Sequence, residues 1–260
     1  MKQSSTNPSV NVPARRITKS HTSLTGFIVA GKAGGSVAFE SRLERDYFIQ
    51  LDFDPAVRSF AAQPLKIQYT GRDGKQHSYT PDVLVQYSKS PWGNRGPKTD
   101  LVEIKSDADL ARKSGLYEER FKAAAEYAAK RGWKFSVLRE RDIQTDFNRN
   151  AFFLWGFRRH REHRPHTAIV RAAIRRLNST TVGQLLDEAI LLHETRHGLP
   201  GSFEDPDMVK ATYLATIWKQ LSSGYIEADL NKALHNRTEV WVSAGHSQRP
   251  RSGLISFDHE

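Results

Sequence analysis

Two acidic residues and one lysine have a spacing that could support catalysis. Asp82 lies on one predicted strand, at residues 79–87, which starts or bulges near Pro81. Glu103 and Lys105 lie two residues apart on the next strand. Side chains along a strand alternate between its two faces, so Glu103 and Lys105 point to the same side. Carboxylate oxygens bind hard divalent cations, and a neighbouring ammonium group can orient or help to deprotonate an attacking water molecule. These groups are suited to metal-assisted cleavage of a phosphodiester bond.

Simpler interpretations of the same residues are available. Asp82 follows Pro81, and Pro-Asp is also an ordinary turn dipeptide. Glu103 and Lys105 alone could form an exposed ion pair on one face of a sheet. They are embedded in the apolar run Leu-Val-Glu-Ile-Lys, however, where charged groups are tolerated only if they are paired or bind a metal. The context therefore favours the catalytic interpretation.

A third acidic group is predicted on a helix that precedes these strands. Glu44 lies beside the apolar stripe formed by Leu43, Tyr47 and Leu51, so it can extend over the sheet edge towards Asp82. Glu40 lies one helical turn earlier and competes for the same role. Spacing alone does not separate the two.

The elements that position these residues form a mixed α/β domain, predicted over residues 36–148. Its order is a helix at residues 39–51, hairpin strands, a strand at 101–105, a helix at 116–130 and a strand at 133–138. The preceding residues 1–35 contain basic but no acidic residues, and are predicted to be a flexible basic arm.

The remaining residues, 149–260, have a different pattern. An aromatic and arginine-rich segment is followed by predicted helices at residues 181–192 and 208–221, and then by two strands around a turn. Three helices followed by a β-hairpin is the element order of a winged-helix domain.

Composition limits the classes of function. The 260 residues carry a formal net charge of +10, which favours a polyanionic partner such as nucleic acid. There is no cysteine, which excludes disulfides and zinc-thiolate sites. No apolar stretch approaches the length of a membrane span, and no signal-peptide core is recognisable, so we expect a soluble cytoplasmic protein.

Four motifs in order connect the chain to a known family. They are Glu-Ser-Arg-Leu-Glu-Arg-Asp at residues 40–46, Phe-Ala-Ala-Gln-Pro at 60–64, Tyr-Thr-Pro-Asp at 79–82 and Val-Glu-Ile-Lys at 102–105. Together they resemble TnsA, the endonuclease subunit of heteromeric bacterial transposases, over about residues 36–145. The resemblance implies a restriction-endonuclease-like nuclease domain followed by a C-terminal winged-helix domain.

The resemblance also implies a site and a biological role. Glu44, Asp82 and Glu103 would bind Mg²⁺ together with the carbonyl of Ile104, Mn²⁺ would substitute, and Lys105 would act on the attacking water. The protein would cut the non-transferred strand at the 5′ ends of a transposon during cut-and-paste transposition. Its partners would be the double-stranded transposon ends, a TnsB-like DDE transposase and a TnsC-like AAA+ ATPase. It would be bacterial and associated with the nucleoid during transposition.

Contacts with DNA are expected to be mainly electrostatic. Two alternative functions remain open: a free-standing restriction or repair endonuclease, and a catalytically inactive DNA-binding adaptor for assembly. The winged helix could bind DNA or the ATPase regulator. The candidate DNA-binding residues are Arg112, Lys113, Arg120, Lys122, Arg158 and Arg159.

Overall fold

The computed structural model describes residues 24–91, 93, 96–112, 114–197 and 205–243. The chain divides into two compact units between Gln144 and Thr145. The predicted boundary after residue 148 lies slightly later, inside a helix that begins at Asp146. Lys113 and residues 1–23 of the predicted arm lie outside the described residues.

Unit 1 is a mixed α/β structure whose central sheet is flanked by helices. The sheet has the strand order β3-β6-β7-β8, in which β7 and β8 are parallel and the other neighbours antiparallel. Two separate hairpins, β1-β2 and β4-β5, complete the unit. The strands are β1 (Gly26–Ala30), β2 (Gly35–Phe39), β3 (Val57–Ala62), β4 (Ile67–Thr70), β5 (Gln76–Tyr79), β6 (Val83–Tyr87), β7 (Thr99–Ile104) and β8 (Lys134–Leu138).

The β1-β2 hairpin corrects part of the prediction for residues 1–35. Residues 26–30 pair in register with residues 35–39. These five residues and Gly35 therefore belong to a hairpin and not to the predicted flexible arm. Ile28, Ala30 and Val37 are buried, while Phe27 and Val29 on the alternate face are exposed. One buried face is sufficient to hold a short hairpin against a domain, and the glycines of this segment weaken the alternating apolar pattern by which a strand is predicted.

The helices of unit 1 begin and end at recognisable signals. The side-chain oxygen of Ser41 accepts a hydrogen bond from the backbone N–H of Glu44, which caps the first helix, and the Asp54-Pro55 pair follows its last turn. Gly132, with φ of 68°, allows the left-handed turn that ends the long helix before β8. The helices are α1 (Arg42–Phe53), α2 (Asp107–Arg112), α3 (Ser114–Ala129) and α4 (Glu140–Ile143).

The two longer helices cover the sheet. Helix α3 packs against β4, β7 and β8, and α1 packs against β1, β2, β3 and α4. Leu84, Leu101, Ala124 and Ala128 form part of one buried apolar cluster beneath α3. Every residue of β7 after Thr99 is buried, so the sheet is covered on both faces at this strand.

The described residues of unit 2 form four helices and a three-stranded antiparallel sheet with the order β10-β11-β9. The aromatic and arginine-rich segment forms its first two helices, and the two strands expected near the end of the chain pair as β10 and β11. The short strand β9 was not predicted; it pairs with β11 and leads directly into the next helix. The elements are α5 (Asp146–Phe157), α6 (Arg164–Leu177), β9 (Ser179–Thr181), α7 (Val182–His197), α8 (Pro206–Ser222), β10 (Ile226–Ala228) and β11 (Glu239–Val242).

Candidate active site

Strand register places the predicted acidic residues next to each other. Val83 on β6 pairs with Val102 on β7, so Asp82 and Glu103 follow in the next opposed position. Residues that lie opposite each other in an antiparallel pair share a face of the sheet. The break at Pro81 separates β5 from β6 and leaves Asp82 just before the β6 ladder begins. Asp82 and Glu103 therefore belong to one row at the same end of the sheet.

Lys105 lies between these two carboxylates. Its ammonium nitrogen Nζ is 3.2 Å from Asp82 Oδ2, 2.5 Å from Glu103 Oε1 and 2.9 Å from the carbonyl oxygen of Ile104. The backbone N–H of Ile104 also donates to Asp82 Oδ2, at 2.7 Å. Three of the four oxygen donors predicted to hold a metal ion, those of Asp82, Glu103 and Ile104, thus converge on one positively charged atom.

Glu103 is enclosed by its partners. Its side chain is only 3% exposed, whereas those of Asp82 and Lys105 are 18% and 20% exposed. The phenol of Tyr79 donates a hydrogen bond to the second carboxylate oxygen, Oε2. Burial and the negative charge of Asp82 raise the pKa of Glu103 to about 7, although Lys105 and Tyr79 oppose this shift. The motif Tyr-Thr-Pro-Asp includes Tyr79, but the sequence did not predict its contact with Glu103.

Lys105 retains its proton in this arrangement. Burial lowers the pKa of its ammonium group, but the charges of Asp82 and Glu103 and the hydrogen bonds with them outweigh burial. The net pKa is therefore raised above that of an ordinary lysine. In this arrangement Lys105 is a hydrogen-bond donor and a positive charge.

Glu44 interacts with both the helix start and Asp82. Its carboxylate accepts hydrogen bonds from the backbone N–H of Glu40, at 2.8 Å, and from the hydroxyl of Ser41, at 3.0 Å. Burial, followed by the negative charge of Asp82, raises the pKa of Glu44 to about 7. Glu44 is therefore close enough to Asp82 for their charges to interact.

Glu40, the competing acid, also lies at this end of the unit. Its Oε1 atom accepts a hydrogen bond from the side-chain amide of Gln63, at 3.1 Å. Glu40 and Glu44 are thus neighbours in space as well as in sequence, and their contacts do not exclude either from the site.

The donor chemistry fits a hard divalent cation, which prefers carboxylate and carbonyl oxygens. Within the described residues, no group of three or more His, Cys, Asp or Glu side chains is arranged as a metal cluster. The oxygens of Asp82, Glu103 and Ile104 instead surround the ammonium nitrogen of Lys105. These oxygens are already oriented around a positive charge, which is the property that a cation site requires.

The predicted DNA-binding residues of unit 1 differ in their surroundings. Lys122 is exposed, and the exposed guanidinium of Arg112 contacts Asp109 at 2.6 Å. Arg120 is half-buried, and its charge acts on the phenol of Tyr79 beside Glu103. The Nε atom of Arg120 is buried without a hydrogen-bond partner in the described part of the chain. The charge of Arg120 therefore acts beside Glu103 in the predicted site.

The two candidates in unit 2 also differ. Arg158 is half-buried and its Nε donates to the carbonyl of Ser222 at 3.3 Å, while burial lowers the pKa of its guanidinium. Arg159 is exposed and lies over the ring of Trp155, 5.8 Å from its centroid. Only Arg159 of this pair presents a free surface position.

Comparison with known protein families finds a match for most of unit 1. Residues 54–140 match the family model described as TnsA-like endonuclease N terminal. The chain contains a TnsA-like endonuclease domain. The match includes Asp82, Glu103 and Lys105, and it begins after the helix that carries Glu44. No protein in a search of curated proteins matches the chain.

The TnsA-like domain confirms the resemblance found from the sequence motifs and supports a nuclease of a Tn7-type transposition system. The matched segment is roughly one third of the chain and does not extend into unit 2. In the described residues, no helix is long and apolar enough to cross a membrane.

Proposed function

We propose that the protein is the metal-dependent endonuclease subunit of a transposase, and that it cleaves the non-transferred strand at the 5′ ends of a transposon. The observation that carries this proposal is the convergence of Asp82, Glu103 and the Ile104 carbonyl on Lys105 within a TnsA-like endonuclease domain. Mg²⁺ is the proposed cation, and Mn²⁺ is expected to replace it.

Asp82, Glu103 and the carbonyl of Ile104 would hold the cation, with Glu44 as a further acidic ligand. When bound, the cation supplies positive charge that lowers the pKa of a coordinated water molecule and polarises the scissile phosphate. Lys105, displaced from the carboxylates, would donate hydrogen bonds to the attacking water or offset negative charge on the pentavalent phosphorus.

The protonation of the site links cation binding to pH. Glu44 and Glu103, each with a pKa of about 7, are partly protonated near neutral pH. A divalent cation requires ionised carboxylates, so its apparent affinity is expected to increase as the pH rises through 7. Cleavage is expected to show the same dependence until another group titrates.

Unit 2 is proposed to be a winged-helix domain. Its order of α6, β9, α7, α8 and the β10-β11 hairpin supports this assignment, as does the antiparallel sheet in which β11 is central. Helix α8 carries only two lysines, and the ammonium of Lys219 donates to the carbonyl of Arg158 at 2.6 Å. This composition favours a surface for a partner protein such as the TnsC-like ATPase over a DNA recognition helix.

The proposal is tested with a duplex that carries the transposon end and a different label on each strand. Wild type, Asp82→Ala and the control Glu126→Ala, which changes an exposed acid on α3, are incubated with Mg²⁺. Each is measured with and without the neighbouring transposase and ATPase.

Cleavage at the 5′ end that requires the partners and is lost only in Asp82→Ala is the expected result. Cleavage by the isolated protein would instead indicate a free-standing restriction or repair endonuclease. Partner or DNA binding without cleavage under any condition would indicate an inactive assembly adaptor.

A further inference from the structure

Gln63 has an unusual backbone conformation beside the acidic residues. Its φ is +45°, and among the described residues only Asn178 is another non-glycine residue with positive φ. Glutamine rarely adopts this left-handed region, and the following Pro64 normally favours an extended conformation for the residue before it. The strain is maintained by the backbone N–H of Gln63, which donates to the carbonyl of Asp82 at 2.8 Å.

The position of Gln63 follows from strand register. Ala62 on β3 pairs with Val83 on β6, so Gln63 lies opposite Asp82 just as Asp82 lies opposite Glu103. The side-chain amide of Gln63 also donates to Glu40 Oε1 at 3.1 Å. Gln63 is therefore tied to one acidic residue through its backbone and to another through its side chain.

The other end of the same amide lacks a partner. Gln63 Oε1 is buried and accepts no hydrogen bond in the described part of the chain. A buried acceptor without a donor is unfavourable, and in native proteins it indicates a bound water or ion. A simple turn after β3 would be satisfied by glycine or asparagine and would not require a glutamine side chain. Backbone strain and an unpaired oxygen together point to a ligand.

We propose that Gln63 is a further residue of the cation site, and that its Oε1 atom accepts a hydrogen bond from a water molecule of the hydrated divalent cation. Mg²⁺ retains several of its waters in proteins, and these polarised waters are strong donors. The amide NH₂ of Gln63 donates to Glu40, which fixes the orientation of the side chain and leaves Oε1 available to accept from such a water. This inference rests on the proposed function.

The test separates a structural role from a role in binding. Gln63→Gly removes both the backbone strain and the amide, and Asn178→Gly makes the same backbone change in unit 2 as a matched control. Gln63→Met preserves the length of the side chain but lacks the oxygen. Urea unfolding without metal gives stability, and calorimetric titration of each full-length variant with Mg²⁺ or Mn²⁺ gives affinity.

We expect Gln63→Gly to unfold at the same or a higher urea concentration than wild type. Its Kd for Mg²⁺ should increase about tenfold, and Gln63→Met should weaken binding similarly, which corresponds to about 1.4 kcal/mol. Asn178→Gly should leave the Kd unchanged. The proposal would be overturned by an unchanged Kd in Gln63→Gly and Gln63→Met while Asp82→Ala loses binding.

Two further results are informative. If the double variant Gln63→Gly, Glu40→Ala binds Mg²⁺ no more weakly than Glu40→Ala alone, Gln63 acts only by holding Glu40 and the assignment of its oxygen is wrong. If Asp82→Ala binds Mg²⁺ as tightly as wild type, the cation site of the proposed function is wrong, whatever the behaviour of Gln63.

Discussion

Replacing Lys105 with methionine tests whether its ammonium group neutralises the buried carboxylates. The variant preserves most of the aliphatic side chain but leaves Asp82 and Glu103 without their shared positive partner. Breaking a buried ion pair by removing one member typically costs about 3–5 kcal/mol. Because Lys105 and Asp82 are about one-fifth exposed, we expect the lower end of that range, about 3 kcal/mol at pH 8.5.

The loss should depend on pH in a defined direction. Glu103 has a raised pKa of about 7, and Lys105 is one of the groups that limit this rise. The interaction between Lys105 and Glu103 therefore contributes stability only where Glu103 is ionised, above about pH 7. At pH 5.5 this part is absent and only the interaction with Asp82 remains, so the loss should be about half as large, roughly 1.5 kcal/mol.

The assay is urea unfolding of the full chain, followed by hydrogen exchange of peptides from β6 and β7 so that unit 1 is observed separately. Lys122→Met, at an exposed position on α3, is the control and should change the free energy of unfolding by less than about 0.5 kcal/mol. If Lys105→Met behaves like this control at pH 8.5, or if its loss does not vary with pH, the assigned role of Lys105 is wrong.

Three other predictions concern separate parts of the molecule. Burial raises the pKa of Asp100 from 3.8 to about 6. The contribution of Asp100 to the free energy of unfolding should therefore fall as the pH rises from about 4 to 6, and Asp100→Asn removes this pH dependence. In urea unfolding, the free energy of unfolding of Asp100→Asn minus that of wild type should increase by about 3 kcal/mol from pH 3.5 to pH 7. A difference that does not change with pH would contradict this. Tyr79→Phe removes a hydrogen bond that lowers the pKa of Glu103, so the acidic limb of the pH–rate profile for cleavage should shift to higher pH by about one pH unit. An equal loss of rate at every pH would refute the assignment. Arg171→Met should destabilise unit 2 by about 2 kcal/mol in thermal unfolding, because Arg171 donates to the buried Gln220 and lies over the ring of Tyr225. The control Arg175→Met, at an exposed position on α6, should have little effect, and equal effects of the two variants would contradict the prediction.

The sequence predicted part of the site because strand periodicity is a local property. Alternation placed Glu103 and Lys105 on one face, and the proline before Asp82 indicated where β6 begins. Both features depend on a few neighbouring residues and on the backbone geometry of strands. The pairing of Asp82 with Glu103 depends on the register of β6 with β7, which only the structure shows.

Other features depend on contacts between distant segments. The bond between Gln63 and Glu40 joins residues 23 positions apart, and the left-handed backbone of Gln63 has no signal in a residue type that normally avoids it. Arg158 is a candidate for DNA contact in the sequence, yet Arg158 and Arg171 of the arginine-rich segment donate to groups on α8 within unit 2. Charge counts do not reveal such partners, because pairing depends on the packing of helices.

The central claim is that Asp82, Glu103 and the Ile104 carbonyl form the divalent-cation site of the nuclease. It is tested most directly by anomalous diffraction from crystals of the protein soaked in Mn²⁺. The account predicts an anomalous peak within coordination distance of these oxygens, about 2.0–2.6 Å, with the Lys105 ammonium moved away from the carboxylates. A peak elsewhere, with Lys105 still bound to Asp82 and Glu103, would contradict it.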